Sequence, residues 1–480
     1  MRFASVINIQ GMLLMFLSVA MLLPIPFSLY YKESDWVAFL ISAAVTLVVG
    51  ATLFLTTRYG RDLRTKEGFA VVTFGWIFLS IFGSLPFLLS GAIPSVTDAF
   101  FETMSGFTTT GATILPDVER LSHGILFWRS LTQWIGGMGI IVLSLAILPF
   151  LGVGGMQLFK AEAPGPTADR LTPRIAETAK ILWGVYVAIS ALEAVLLMFG
   201  GMGFFDALCH TFGTMATGGY STRNASIGAF GSAYIHYVII FFMLMAGTNF
   251  SLHYRFLKGD WRAYLRNKEF LFYLSIIGIV TVIIGVDTFL NQYRNLPDTM
   301  QFTLFQVVSI LTTTGYGTTD YEQWSFSSQF VLFVLMFFGG CAGSTGGGMK
   351  IIRVMVLVKF MYSEIARLLH PHAVVPVRIG DKGIPRDVVT NVLGFFVLFM
   401  VVFVIGVIIM SSMGMDIATS LGVVIATLGN IGPGLGDVGP TDNYSTIPAI
   451  GKWILASFML MGRLELFTVI ILLSPFYWQK

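Results

Sequence analysis

The sequence predicts an all-α polytopic membrane protein. Four fused helix–pore loop–helix repeats with pseudo-fourfold symmetry follow two extra N-terminal helices. Three observations lead there. Of 480 residues, 55% are hydrophobic and only 11% are charged, whereas a soluble chain carries about 25% charged residues. Long apolar stretches recur along the chain, and every second connection between them is basic. The four long connections of low charge share a segment rich in Thr and Gly. The composition also excludes disorder, because apolar content is high and the net charge is only +3.

A spanning helix needs about 20 mostly apolar residues. In chain order the candidates are Val6–Tyr30, Trp36–Thr56, Phe69–Leu89, Ile125–Leu151, Ile181–Phe199, Tyr234–Leu252, Phe270–Leu290, Phe326–Val358, Val388–Met410 and Trp453–Phe476. The first is too long for a signal h-region and no small-residue cleavage site follows it, so it reads as a span. The eighth is interrupted by glycines. Alternate connections hold twenty Lys and Arg, the intervening ones only six (Lys32, Arg120, Arg129, Arg223, Arg294 and Lys452). The positive-inside rule then places the basic side and both termini in the cytoplasm. Cys209 and Cys341 form no close pair and the six histidines form no HExxH, so no disulfide framework or structural metal site is expected.

The repeated segments read DAFFETMSGFTTTGAT from Asp98, DALCHTFGTMATGGYS from Asp206, FTLFQVVSILTTTGYG from Phe302 and DIATSLGVVIATLGNI from Asp416. Aligned without gaps they superpose Gly111, Gly219, Gly315 and Gly429. Gly218 competes with Gly219 in the second. The aspartates are expected to cap short helices, and with Glu102 to sit solvated at an outer mouth. Each segment is too short to span, so each dips in from the outer face and returns. Irregular backbone at that depth needs protein or water around it, and four such segments imply a shared aqueous lining. The organisation expected is two extra helices over 1–60 and repeats over 69–151, 181–255, 270–360 and 388–476.

A dehydrated K⁺ ion needs oxygens in place of its water shell, and rings of backbone carbonyls supply them in potassium filters. Gly admits the dihedrals that turn successive carbonyls toward an axis. Thr312–Gly317 (TTTGYG) comes closest to the potassium-channel signature TVGYG, and Thr108–Thr113 (TTTGAT) is next. The candidate filter is therefore Thr109, Thr110 and Gly111; Thr217, Gly218 and Gly219; Thr313, Thr314, Gly315 and Tyr316; and Leu428, Gly429 and Asn430. The ion contacts are expected at Thr110, Gly111, Gly219, Thr314, Gly315 and Gly429.

Gly339–Lys350 reads GGCAGSTGGGMK. Each Gly costs about 1 kcal/mol relative to Ala in a helix interior, so the helix breaks there, below the third filter. Gly343, Ser344, Thr345, Gly346, Gly347 and Gly348 are read as a gate across the pore; a packing break is the plainer alternative. Arg463 is expected inside the last helix, where a charge must face protein or water. It either bonds the gate-loop carbonyls or repels cations, with a purely structural link equally open.

The turns TTTGAT, ATGGYST, TTTGYGT and TLGNIGPG occur together with QWIGGMG at Gln133–Gly139, GSTGGGMK and MGRLELF. In that combination the chain resembles, over nearly its whole length, the membrane subunits of bacterial Trk potassium uptake systems in the Trk/Ktr/HKT superfamily. The resemblance implies inward movement of K⁺, and often Rb⁺, through one pore per subunit, with the gate at Gly339–Lys350 and the pore arginine at Arg463. It implies an inner-membrane homodimer. It also implies a cytosolic ring of nucleotide-binding regulatory subunits (TrkA) facing Lys160–Lys180, His253–Lys268 and Lys359–Arg386. Some plant relatives carry Ser at the first filter glycine and pass Na⁺, so Gly111 favours K⁺. This chain has no GxGxxG fingerprint, and nucleotides are expected to act on the partner.

Two other classes compete. A symporter coupling K⁺ to H⁺ or Na⁺ often has inverted repeats and midplane acids. Here the repeats share one orientation, and only Glu193 and Glu465 lie deep. An enzyme would need a nucleophile–base pair or a metal cluster, and none stands out.

Overall fold

A computed structural model describes residues 3–57, 65–139, 175–371, 375–380 and 382–479. The end of the expected fourth span and most of the basic loops at Arg58–Gly68 and Lys160–Lys180 lie outside these residues. Among these residues the chain is helical, with one two-residue ladder pairing Arg378–Ile379 with Lys382–Gly383.

Among the described residues, six helices are long and apolar enough to cross a membrane. They are Phe3–Tyr30, Trp36–Thr56, Lys66–Leu89, Glu177–Phe199, Lys268–Tyr293 and Arg386–Ser412. Val48, Val282, Ile283 and Ile408 on these helices are exposed. Such apolar surface suits a hydrocarbon solvent, which contributes no hydrophobic drive between helices and leaves packing to small residues. The leading pair shows this. Gly11 and Gly50 let the two backbones touch, since a Cβ on Gly11 would lie 2.6 Å from the Gly50 carbonyl oxygen. Asn8 donates from Nδ2 to the carbonyls of Phe54 and Thr57, each at 2.8 Å. Gln10 ties the pair to the next helix through Val71 O, also at 2.8 Å.

Each repeat then supplies an outer helix, a pore helix and an inner helix. The outer helices are Thr65–Gly83, Ile175–Phe199, Lys268–Thr288 and Arg386–Ser412. The pore helices are Val96–Phe107, Phe204–Met215, Leu296–Leu311 and Ile417–Leu428. Twelve residues rise only about 18 Å, short of the roughly 30 Å hydrocarbon core. Ser95, Gly203, Asn295 and Asp416 occupy the N-caps. Of the expected caps only Asp416 acts as one, accepting from Ala418 and Thr419 N–H. Asp98 and Asp206 stand in the first turn instead, where a carboxylate still suits the helix dipole. Asp298 occupies the same turn of the third pore helix, which is one turn longer. That extra turn is why Phe302 stood at the aspartate position in the gap-free alignment.

All four inner helices break, not only the third. His123–Trp134 passes into a five-residue π turn at Ile135–Gly139. Ala233–Ala246 bends by 101° into Phe250–Leu257. Phe326–Leu335 and Ile351–Leu369 flank the glycine run. Ala449–Arg463 stops before Glu465 and Leu466, both at positive φ, and resumes at Phe467–Leu473. Arg463 therefore ends a helix rather than sitting within one.

Candidate functional site

The four pore helices end identically. The N–H groups of Thr109, Thr217, Thr313 and Asn430 bond the carbonyls of Gly106, Thr214, Ile310 and Thr427 at 2.9–3.2 Å. The next N–H groups, of Thr110, Gly218, Thr314 and Ile431, reach Ser105, Gly213, Ser309 and Ala426 at 2.8–2.9 Å. This paired pattern is a Schellman motif, whose left-handed residue is usually Gly. Here it is Thr109 (φ 52°), Thr217 (54°), Thr313 (59°) and Asn430 (54°). A left-handed Cβ costs roughly 1–2 kcal/mol per residue, and all four turns carry one at the equivalent position.

Two residues further on come Gly111, Gly219, Gly315 and Gly432, at φ 80°, 75°, 77° and 97°. The second repeat therefore presents Gly219 there, with Gly218 preceding it. In the fourth, Gly429 is the helix cap at φ −82° and Leu428 the last helical residue. The gap-free alignment misplaces that repeat, because TLGNIGPG offers several glycines and only backbone geometry separates them. Gly432 takes the place assigned to Gly429, and Ile431 that of Thr110.

These glycines close a ring. A Cβ on Gly111 would lie 2.1 Å from Gly218 O, one on Gly219 2.0 Å from Thr314 O, one on Gly315 1.8 Å from Ile431 O, and one on Gly432 2.7 Å from Thr110 O. Each repeat thus presses a glycine against the carbonyl of the next, and the fourth meets the first. All four glycines line one cavity of about 130 Å³.

The ring is braced from behind. Thr108 and Thr110 share a hydroxyl contact of 2.8 Å, as do Thr312 and Thr314. Gln133 Nε2 donates to Gly218 O at 2.6 Å while its Oε1 accepts from Tyr220 N at 3.0 Å. Asn430 Nδ2 reaches Thr110 Oγ1 and Met459 O, each at 2.9 Å. Tyr316 is buried and points away from the cavity, its hydroxyl donating to His210 O at 2.9 Å. Tyr220 does likewise to Glu102 O at 2.9 Å. Glu102 does not face solvent. It is fully buried, paired with Arg129 at 2.8 Å, and accepts from Thr113 Oγ1 and Ile114 N at 3.0 Å. Arg129, expected in an outer loop, lies in the first inner helix with its guanidinium 4.0 Å from the Tyr220 ring centre.

The mouth side is acidic. Glu322 accepts from Gly436 N at 2.6 Å. Burial, then the neighbouring Asp320, Asp442 and Asp437, push its carboxyl above the usual range. Asp442 is raised by burial and by Asp320 and Asp437. Asp98 pairs with Lys452 at 2.7 Å and Asp206 with Arg223 at 3.1 Å.

Beneath the ring lies the glycine run of repeat three. Gly347 N donates to Thr313 Oγ1 at 2.7 Å, and a Cβ on Gly347 would be 2.8 Å from Gly429 O. Thr345 Oγ1 contacts Met215 O and Ala246 O at 3.0 and 3.1 Å. Cys341 N bonds Gly247 O at 2.8 Å and Phe250 N bonds Gly343 O at 3.1 Å. The loop is thus fastened to repeats two and three and lies against repeat four. Arg463 adds the first: it donates to Thr345 O at 2.6 Å and to Gly136 O and Gly137 O at 2.6 and 2.7 Å. Glu465 faces elsewhere and pairs with Arg353.

Residues 36–480 match the family model TrkH, described as cation transport protein. The chain is 42% identical over 488 residues to the Trk system potassium uptake protein TrkH of Halomonas elongata, covering all of both chains. Identity to the TrkH of Escherichia coli (strain K12) is 42% over 485 residues, again with full coverage. TrkG of the same strain is 36% identical, over 99% of this chain and 98% of its own. Among solved structures, the crystal structure of the potassium transporter TrkH from Vibrio parahaemolyticus superposes with a TM-score of 0.90 at 40% identity, covering all of both chains.

Proposed function

The chain belongs to the TrkH family of cation transport proteins, a family of transporters rather than enzymes, and from that premise we propose that it takes up K⁺ through a gated, K⁺-selective pore. One observation carries this reading: four left-handed glycines, each against a carbonyl of the next repeat, line one cavity. K⁺ is cargo, and Rb⁺, of similar size, accompanies it. The selecting oxygens are assigned to Thr109–Gly111, Thr217–Gly219, Thr313–Gly315 and Asn430–Gly432. Pre-positioned carbonyls replace the hydration shell of K⁺. The four repeats over 69–151, 181–255, 270–360 and 388–476 each give one quarter of the ring.

The segment Gly343–Gly348 is proposed as the gate. Gly347 N donates to Thr313 Oγ1, Thr345 N donates to Ala246 O, and the Thr345 carbonyl accepts from Arg463, so opening requires those bonds to exchange for water. The subunit is proposed to act in the inner membrane as a homodimer with both termini cytoplasmic. The basic segments His253–Lys268 and Lys359–Arg386 suit a cytosolic nucleotide-binding regulator of the TrkA kind.

The test is ion flux through purified protein in liposomes, with a K⁺ gradient and a clamped potential. A reversal potential that follows K⁺ alone at several pH values supports the pore. One that shifts in fixed proportion with pH or Na⁺ would establish coupled symport instead. Gly315→Ser should lower discrimination of K⁺ over Na⁺, and deletion within Gly343–Gly348 should raise flux without a regulator.

A further inference from the structure

Three of the four turns carry a side chain at the position before the ring glycine, namely Thr110, Thr314 and Ile431. The second turn carries Gly218 there, followed at once by Gly219. Two adjacent glycines have the greatest backbone freedom of the four turns. In repeats one and three a pair of threonine hydroxyls stitches the turn internally at 2.8 Å. Repeat two has Ala216 and Gly218 at those positions, so no such stitch can form.

Gln133 stands in its place. It projects from the inner helix of repeat one and is wholly buried. Its amide donates to Gly218 O at 2.6 Å and accepts from Tyr220 N at 3.0 Å. The two bonds straddle Gly219, and swapping the amide's ends would oppose donor to donor and acceptor to acceptor. A Cβ on Gly218 would lie 2.5 Å from Gln133 Cδ, so the amide fills the space a Thr side chain takes in repeats one and three. Gly218 O is the carbonyl that faces Gly111 in the ring.

We propose that Gln133 is a positioning residue for ion selection, an external clamp that holds the two-glycine turn of repeat two in register with the other three. The proposal rests on the filter reading above. With the clamp removed, the Gly218 carbonyl is free to rotate and one quarter of the ring relaxes toward ions other than K⁺.

The experiment uses the full chain in liposomes and reads K⁺/Na⁺ and K⁺/Rb⁺ permeability ratios. Gln133→Leu removes both bonds at similar volume. Its K⁺/Na⁺ ratio should fall by about fivefold or more, the scale of one buried hydrogen bond, while K⁺ flux persists. Gln133→Glu keeps the acceptor for Tyr220 N and, held neutral by burial, can also donate its O–H to Gly218 O, so its ratio should fall less. The triple change Gln133→Ala, Ala216→Thr, Gly218→Thr rebuilds the hydroxyl stitch and the lost volume, and should recover most of the ratio, which a merely structural role for Gln133 does not predict. An unchanged ratio in Gln133→Leu, alongside a lowered one in Gly219→Ser, overturns the clamp and spares the filter. An unchanged ratio in both overturns the filter reading itself. If Gln133→Leu does not assemble, Gln133→Met, which also removes both bonds at similar volume, decides, and an unaltered ratio there overturns the proposal.

Discussion

Removing the charge of Arg129 tests how the ring is held. Arg129 is 2% exposed and its partner Glu102 is not exposed at all. The guanidinium makes one bond to Glu102 at 2.8 Å and longer ones to Ser221 O and Thr113 Oγ1 at 3.3 Å. Arg129→Met leaves the carboxylate buried without its counter-charge, and breaking a buried pair in this way costs about 3–5 kcal/mol. Glu102→Gln keeps an acceptor for Ile114 N and Thr113 Oγ1 but strands the guanidinium, at similar cost. The double variant strands neither charge and should lose far less than the sum. A double-mutant cycle on unfolding in detergent should therefore give a coupling of about 2 kcal/mol or more, whereas independent sites add within about 0.5 kcal/mol. Additivity would refute the reasoning, since the pair would then contribute nothing beyond its separate contacts.

Other outcomes follow from the same geometry. Arg463→Met removes three carbonyl bonds between the gate loop and the break in repeat one; Rb⁺ uptake without regulator should rise several-fold, and unchanged uptake would count against a clamp. Gly432→Ala places a Cβ 2.7 Å from Thr110 O at φ 97°, with about 1–2 kcal/mol of left-handed strain. It should lower K⁺/Na⁺ discrimination as alanine at Gly111, Gly219 or Gly315 does, and wild-type discrimination would return the fourth position to Gly429. The raised carboxyls of Glu322 and Asp442 are charged above their pKa and neutral below it. As external pH falls through the mildly acidic range the mouth loses negative charge sooner than ordinary carboxylates would allow. Uptake at low ionic strength should decline over that range, less so in Glu322→Gln and less so in high salt, which screens the field; an equal slope in the variant would sink the assignment.

Much of this was legible in the sequence, for physical reasons that also mark the limits. Hydropathy reports burial in lipid, so the outer helices stood out. The Thr–Gly pattern, TTTG in repeats one and three and ATGG in repeat two, reports a backbone demand, so those three repeats register. Repeat four failed because Gly429, Gly432 and Gly434 satisfy the same letter while only Gly432 has the partner that closes the ring; alignment on the helix cap, Asp416 with Ser95, recovers it. Breaks in the other inner helices were hidden because short interruptions barely alter mean hydropathy. Asn249, which caps the resumed helix by accepting from Ser251 N at 2.8 Å, was the available signal for one of them. Sequence alone places Glu102 at the outer mouth and Arg129 in an outer connection, because their pairing joins positions 27 apart, which no local window sees.

The bond from Asn430 to Thr110 spans 320 positions of one chain. During synthesis the ring turns of repeats one to three are translated before the closing piece. Contacts of such long sequence separation form late and slowly. The fourth repeat, with Asn430 and Gly432 in the turn after Ile417–Leu428 and Arg463 at the end of Ala449–Arg463, therefore brings both the final wall of the ring and the latch of the loop beneath it. A chain that stops before the fourth repeat lacks both together.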